Sequence, residues 1–262
     1  MIKLIVSDID GTLVGDGGNK VNPEVFDVIM KLKKEKKIHF AAASGRQAAS
    51  IEYTFKPIQK EIFYVAENGA YVGCYGRTLF LYPIEMNLAN ELSKDIRLNP
   101  HLQVMIDGAK GTYLESKNRE LIDWMTEGYH FHIIPVDDIT KIDDEIIKVA
   151  AYKKTGIQDD VGALFDKYGD QFKMTISGDM WMDCMRKGVN KGEAVKTLQE
   201  SLNITPEETM VFGDQLNDIE MLGRAYYSFA VGNARAEVKA AARFQTDTNL
   251  KDGVIKILRT LL

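Results

Sequence analysis

Across its first eighty residues the chain alternates short apolar runs with longer stretches whose apolar residues recur at helical spacing. That alternation is the pattern of parallel strands joined by crossover helices. Ile2 to Ser7 reads as a buried strand, and Asn22-Pro23 reads as a helix start, a cap followed by a first-turn proline. Phe26, Ile29, Met30 and Lys33 follow at helical spacing, and the lysine-rich stretch Lys33 to Lys37 ends that helix. A run from Ile38 to Ala43, a helix from Arg46 and a run from Ile62 to Ala66 complete strand, helix, strand, helix, strand. The fold class expected is α/β, with a doubly wound parallel sheet.

From Tyr71 to Tyr82 the texture changes to β-rich segments around Gly73, Gly76 and Arg77, a hairpin leading out of the sheet. The following hundred residues mix helices and strands without strict alternation, and a hairpin signal at Gly178-Asp179 closes them. Helix and strand alternate again after Lys187. The expected organisation is a core in two parts, residues 1–82 and 187–262, split by an inserted α+β domain over 83–186. With 262 residues, 45% of them hydrophobic, the chain can bury such a core without disulfide or metal staples. Cys74 and Cys184 provide neither a disulfide framework nor zinc-site spacing, which suits a reducing cytoplasm. A net charge of -5 argues against a nucleic-acid partner. No apolar run approaches the roughly 20 residues that span a bilayer, so no membrane partner is expected.

The chemistry concentrates where strands should end. Asp8-Ile9-Asp10-Gly11-Thr12 follows the first apolar run, and Gly11 permits a turn that brings both carboxylates to one mouth. One of the pair can act as nucleophile and the other as acid or base. Phe212-Gly213-Asp214-Gln215-Leu216-Asn217-Asp218 places two more carboxylates at another strand end. Clusters that provide only oxygen donors favour a hard cation such as Mg²⁺, which in turn points to a phosphate-bearing substrate. Cationic and hydrogen-bonding groups for that anion are available in Ser44-Gly45-Arg46 and in Lys191 at a helix start, where backbone amides add to the site.

Together, Asp8-Ile9-Asp10-Gly11-Thr12-Leu13, Ser44-Gly45-Arg46, Lys191 and Gly213-Asp214 with Asn217-Asp218 resemble the four ordered motifs of the haloacid dehalogenase-like hydrolases. Glu67-Asn68-Gly69-Ala70 and Asn190-Lys191-Gly192 are similar to the Cof-type sugar-phosphatase subfamily. The resemblance implies a Rossmann-like core, an α/β cap in the insert, one Mg²⁺ and hydrolysis of a small phosphorylated metabolite through an aspartyl-phosphate. It makes Asp8 the nucleophile. Asp8, Asp214 and the Asp10 backbone carbonyl become metal ligands, with Asp218 supporting the metal through its water shell. Asp10 would protonate the leaving oxygen and then activate water, while Ser44, Lys191 and Asn217 would hold the phosphoryl group. Arg46 pairs either with substrate or with a nearby carboxylate. Substitution of Asp8, Asp10 or Lys191 is expected to give a folded, inactive protein.

A phosphotransferase or mutase shares the first chemical step but passes the phosphoryl group to a sugar instead of water, and the motifs do not exclude it. A receiver-like signalling switch also sets Mg²⁺ among aspartates with a Ser/Thr and a Lys and keeps the phosphoryl group, but such modules are far shorter, whereas Asp10 here provides a water activator and the hundred-residue insert a lid. The histidines His39, His101, His130 and His132 fall outside any metal or triad pattern. Met180, Trp181, Met182 and Met185 read as packing within the insert, and Lys31, Lys33, Lys34, Lys36 and Lys37 as a solvated helix end.

Overall fold

The computed structural model describes residues 1–15, 20–177 and 179–262; Gly178 of the expected hairpin lies outside them. The chain opens with β1 (Leu4–Asp8), α1 (Glu24–Lys31), β2 (His39–Ala43), α2 (Ala48–Thr54), β3 (Phe63–Ala66), β4 (Tyr71–Cys74) and β5 (Arg77–Leu81). The insert carries α3 (Met86–Arg97), β6 (Gln103–Gly108), β7 (Thr112–Leu114), α4 (Arg119–Asp123), β8 (Ile133–Pro135), β9 (Ile146–Tyr152), α5 (Gly162–Tyr168), β10 (Phe172–Ser177) and β11 (Trp181–Arg186). The chain then continues through α6 (Lys191–Leu202), β12 (Thr209–Gly213), α7 (Ile219–Leu222), β13 (Tyr227–Ala230), α8 (Ala236–Ala241), β14 (Phe244–Gln245) and α9 (Gly253–Arg259).

Among the described residues the first sheet has the order β14-β13-β12-β1-β2-β3-β4-β5. Its pairings from β14 to β3 are parallel and β3 meets β4 antiparallel. All five residues of β1 are buried, as expected of a central parallel strand covered on both faces. The chain winds from β1 toward β3 on one side and, after the insert, from β12 toward β14 on the other. The strand order therefore reverses between β1 and β12, the point at which open α/β sheets form a crevice outside the strand ends. Asp8 is the last residue of β1 and Asp214 the first after β12.

The second sheet has the order β10-β11-β9-β6-β7-β8, antiparallel except for β7 with β8. Ala89, Leu92 and Ile96 of α3 pack in its main core with Val104, Ile106, Val149, Met182 and Cys184. Met182 thus belongs to the packing of the insert, as its place in the sequence suggests. Among the described residues, no helix is long and apolar enough to cross a membrane.

The chain divides into two compact units, Met1–Phe80 with Asn190–Leu262, and Leu81–Val189. The sequence placed these breaks at 82/83 and 186/187. The second lies later because β11 ends at Arg186 but Val189 stays with the insert: Val189 is buried, and Lys173 Nζ donates to its carbonyl at 3.1 Å.

Candidate active site

All the site residues expected from the sequence lie in the unit that contains β1. Asp8 closes β1, and Gly11 makes the turn after it with φ of 81°, a left-handed value that glycine adopts without a Cβ clash. The Gly11 and Val14 amides close the loop, donating to the carbonyls of Val14 and Ile9 at 2.9 and 3.0 Å. This turn brings Thr12 across to β12, where its hydroxyl donates to Asp214 Oδ1 at 2.6 Å.

Lys191 begins α6, capped by Asn190, whose side chain accepts from the Glu193 amide at 2.8 Å. Its side chain is 1% exposed, and Nζ lies 2.6 Å from Asp8 Oδ1 and 2.7 Å from Asp218 Oδ1. The other oxygen of Asp218 accepts from the Asp214 and Gln215 amides at 2.9 and 3.0 Å. Asp218 therefore fixes the 214–218 turn with one oxygen and anchors Lys191 with the other. Asp8 differs: its Oδ2 is buried and has no hydrogen-bond partner among the described residues.

Ser44, at the end of β2, is buried; its hydroxyl accepts from the Arg46 amide at 3.1 Å and sits 3.4 Å from Asp10 Oδ2. Gly45 lies under Asn68, whose side chain would be 3.2 Å from a Cβ placed there. Arg46 meets a carboxylate, one of the two partners the sequence offers it: its Nε donates to Asp10 Oδ2 at 2.8 Å, and a second guanidinium nitrogen pairs with Oδ1. The turn after Ser44 directs the arginine toward the β1 loop. Asn217 is exposed and donates to Asn68 Oδ1 at 2.9 Å. Sequence reasoning assigned no role to Thr12 or Asn68, although both stand inside the recognised motifs; their partners are 202 and 149 residues away in the chain.

The electrostatics favour a further positive charge beside Lys191. Carboxylate oxygens of Asp8, Asp214 and Asp218 all lie within 4.8 Å of one another, and all three residues are buried. Set against them is Lys191, so the ionised cluster carries three negative charges and one positive, a net of -2. Burial pushes the Asp8 carboxyl well above the ordinary range, with Lys191 opposing, and burial raises Asp214 as well. For Lys191, burial alone would lower the value; Asp218 and Asp8 reverse that and keep the ammonium charged. An oxygen-only set with an unpartnered buried oxygen and a charge of -2 fits a hard divalent cation. Asp10 contributes no carboxylate oxygen to this group, since its side chain is held by Arg46.

Comparison with known proteins points to one family. A family model described as haloacid dehalogenase-like hydrolase matches residues 5–258. The 5-amino-6-(5-phospho-D-ribitylamino)uracil phosphatase of Escherichia coli K12 is 30% identical over 262 residues, covering 100% of this chain and 96% of its own. An HMP-PP phosphatase of Klebsiella pneumoniae is 27% identical, over 92% of this chain and 88% of its own. A crystal structure from Eubacterium rectale superposes with a TM-score of 0.91 at 33% identity, covering 100% of this chain and 99% of the other.

Proposed function

This chain belongs to the haloacid dehalogenase-like hydrolases and is a phosphatase of that family, and from that premise we propose that it hydrolyses small phosphate monoesters borne on sugars or sugar-derived chains through a phosphorylated Asp8. The observation that carries this reading is the Asp8 carboxylate itself, with one oxygen held by Lys191 and the other buried without a partner. A carboxylate so placed is desolvated, oriented and open at one atom, as a nucleophile must be.

In the first step an Asp8 oxygen bonds to phosphorus as the bond to the leaving oxygen breaks, and Asp10 gives that oxygen a proton. In the second, Asp10 takes a proton from water, the water oxygen bonds to phosphorus, and the bond to Asp8 breaks to release orthophosphate. Asp10 can serve both steps only when Arg46 loosens its hold, so Arg46 governs the position of the acid–base group. Lys191, Ser44 and Asn217 donate to the phosphoryl oxygens. Asp8, Asp214 and the Asp10 main-chain carbonyl would hold Mg²⁺, with Asp218 supporting it through its water shell while also holding Lys191 and the 214–218 turn. When bound, Mg²⁺ neutralises charge on the phosphate oxygens.

The test is orthophosphate release, with Mg²⁺ and with EDTA, from hexose phosphates, 5-amino-6-(5-phospho-D-ribitylamino)uracil, nucleotides and p-nitrophenyl phosphate. Mg²⁺-dependent release is expected, fastest from esters on sugar or ribityl carbons. Consumption of a sugar phosphate with its phosphoryl group transferred to another sugar would replace hydrolase with transferase.

The charge balance makes a second prediction. Asp8 and Asp214 bind protons more tightly when folded than when unfolded, so without a divalent cation stability falls as pH rises above about 4. A cation competes with those protons and binds more tightly as pH rises. Mg²⁺ at a hundred times its dissociation constant adds about 2.7 kcal/mol to the stability. Thermal melts should therefore show a Mg²⁺ shift that is larger near pH ~8 than near pH ~5. An equal shift at both would place the ion elsewhere.

A further inference from the structure

We infer that Asn68 is a positioning residue that sets the spacing between the Ser44 loop and the Asn217 turn, and so tunes phosphate affinity; the inference rests on the phosphatase reading of the site. Glu67 and Asn68 are consecutive residues with φ of 48° and 50°. Left-handed backbone is unfavourable for residues with a Cβ, least so for asparagine, and two in succession persist only where the surroundings hold them.

Here the surroundings are the phosphate-binding segments themselves. The Glu67 amide donates to the Arg46 carbonyl and the Asn68 amide to the Ser44 carbonyl, both at 3.0 Å. The Asn68 side chain covers Gly45, and its Oδ1 accepts from Asn217 Nδ2 at 2.9 Å. The next residue, Gly69, runs so close to α6 that a Cβ on it would sit 2.3 Å from the Asn190 carbonyl, immediately before Lys191. One three-residue turn thus touches the segments that carry Ser44, Lys191 and Asn217. Those groups come from three separate connections of the sheet, and the strands alone leave their mutual distance loosely defined. Donors around a phosphate lose their value when displaced by fractions of an ångström, so a part that spans all three segments acts on binding without touching the substrate.

The experiment compares wild type with Asn68→Gly, Asn217→Ala, their double variant and Asn68→Ala. Readouts are steady-state kinetics on p-nitrophenyl phosphate, calorimetric affinity for orthophosphate with Mg²⁺ present, and the Mg²⁺ concentration at half-maximal melting shift. Glycine keeps the left-handed turn and removes only the amide. Asn68→Gly should therefore raise KM and the orthophosphate Kd roughly five- to tenfold, with kcat within about twofold and the Mg²⁺ midpoint unchanged. Asn217→Ala should cost at least as much, since it also removes a donor to the phosphoryl group, and the double variant should be no worse than Asn217→Ala alone, because that variant already lacks the Asn68 hydrogen bond. Asn68→Ala adds backbone strain and should also lower the melting temperature, which glycine should not.

Wild-type KM and orthophosphate affinity in Asn68→Gly would overturn the inference, as would multiplication of the two single effects in the double variant. Calorimetry needs no turnover. A wild type that binds orthophosphate but hydrolyses no ester would defeat the phosphatase reading and still leave the Asn68 comparison decisive.

Discussion

Purified Asp8→Asn protein should hydrolyse p-nitrophenyl phosphate at least about 10⁴-fold more slowly than wild type while melting at the same temperature or higher. The activity loss follows from the reaction. An amide oxygen is a poor nucleophile, and the other two carboxylates of the cluster, Asp214 and Asp218, have both oxygens hydrogen-bonded. The retained stability follows from the charge count. Asparagine has the shape of aspartate but removes one of three negative charges from a buried cluster in which burial already disfavours the Asp8 carboxylate. Lys191 keeps its contact with Asp218, so no buried cation is orphaned. Loss of activity with unchanged or raised stability is the signature of a group kept for chemistry at some expense to the fold. Substantial turnover by this variant would end the aspartyl-phosphate mechanism. A large drop in melting temperature would mean that Asp8 mainly serves the structure.

How much of this was legible in the sequence varied with the range of the interactions. The run Ile38 to Ala43 reads as a strand because β2 is covered on both faces and must be apolar almost throughout. The helix expected from Arg46 begins at Ala48. The Arg46 amide is taken by the Ser44 hydroxyl and its carbonyl by the Glu67 amide, a tertiary contact with no local signature. The chain continues from α4 (Arg119–Asp123) into five residues, Trp124–Gly128, that wind as a π-helix, whose register differs from an α-helix while its residue types do not.

The site shows the same division. Motif spacing marked Asp8, Lys191, Asp214 and Asp218, and the structure brings those four together. It did not reveal that Thr12 holds Asp214, or that Arg46 holds Asp10, because each contact joins segments that become neighbours only once the sheet is assembled. Nor could spacing tell how deeply Lys191 is buried, and that depth alters what its substitution should do.

Sequence alone suggests that replacing Lys191 gives a folded, inactive protein; its burial argues for a protein that is inactive and also markedly less stable. Lys191→Met fills a similar volume but leaves Asp8 and Asp218, each previously 2.6 to 2.7 Å from the ammonium, facing one another with Asp214 nearby. Removing one partner of a buried ion pair typically destabilises by about 3–5 kcal/mol. In a chain of this size that lowers the melting temperature by roughly 10 °C. The loss should shrink toward acid pH, where Asp8 and Asp214 take up protons and the repulsion fades. It should also shrink in the Asp8→Asn/Lys191→Met double variant, which has one fewer charge to leave unbalanced, although that protein is doubly disabled for catalysis. Melting curves of wild type, both single variants and the double, in EDTA at about pH 5 and about pH 8, test the argument. A Lys191→Met protein that melts like wild type at the higher pH would show that the carboxylates share too little buried charge to need a counter-ion, and the case for a divalent cation among them would fall with it.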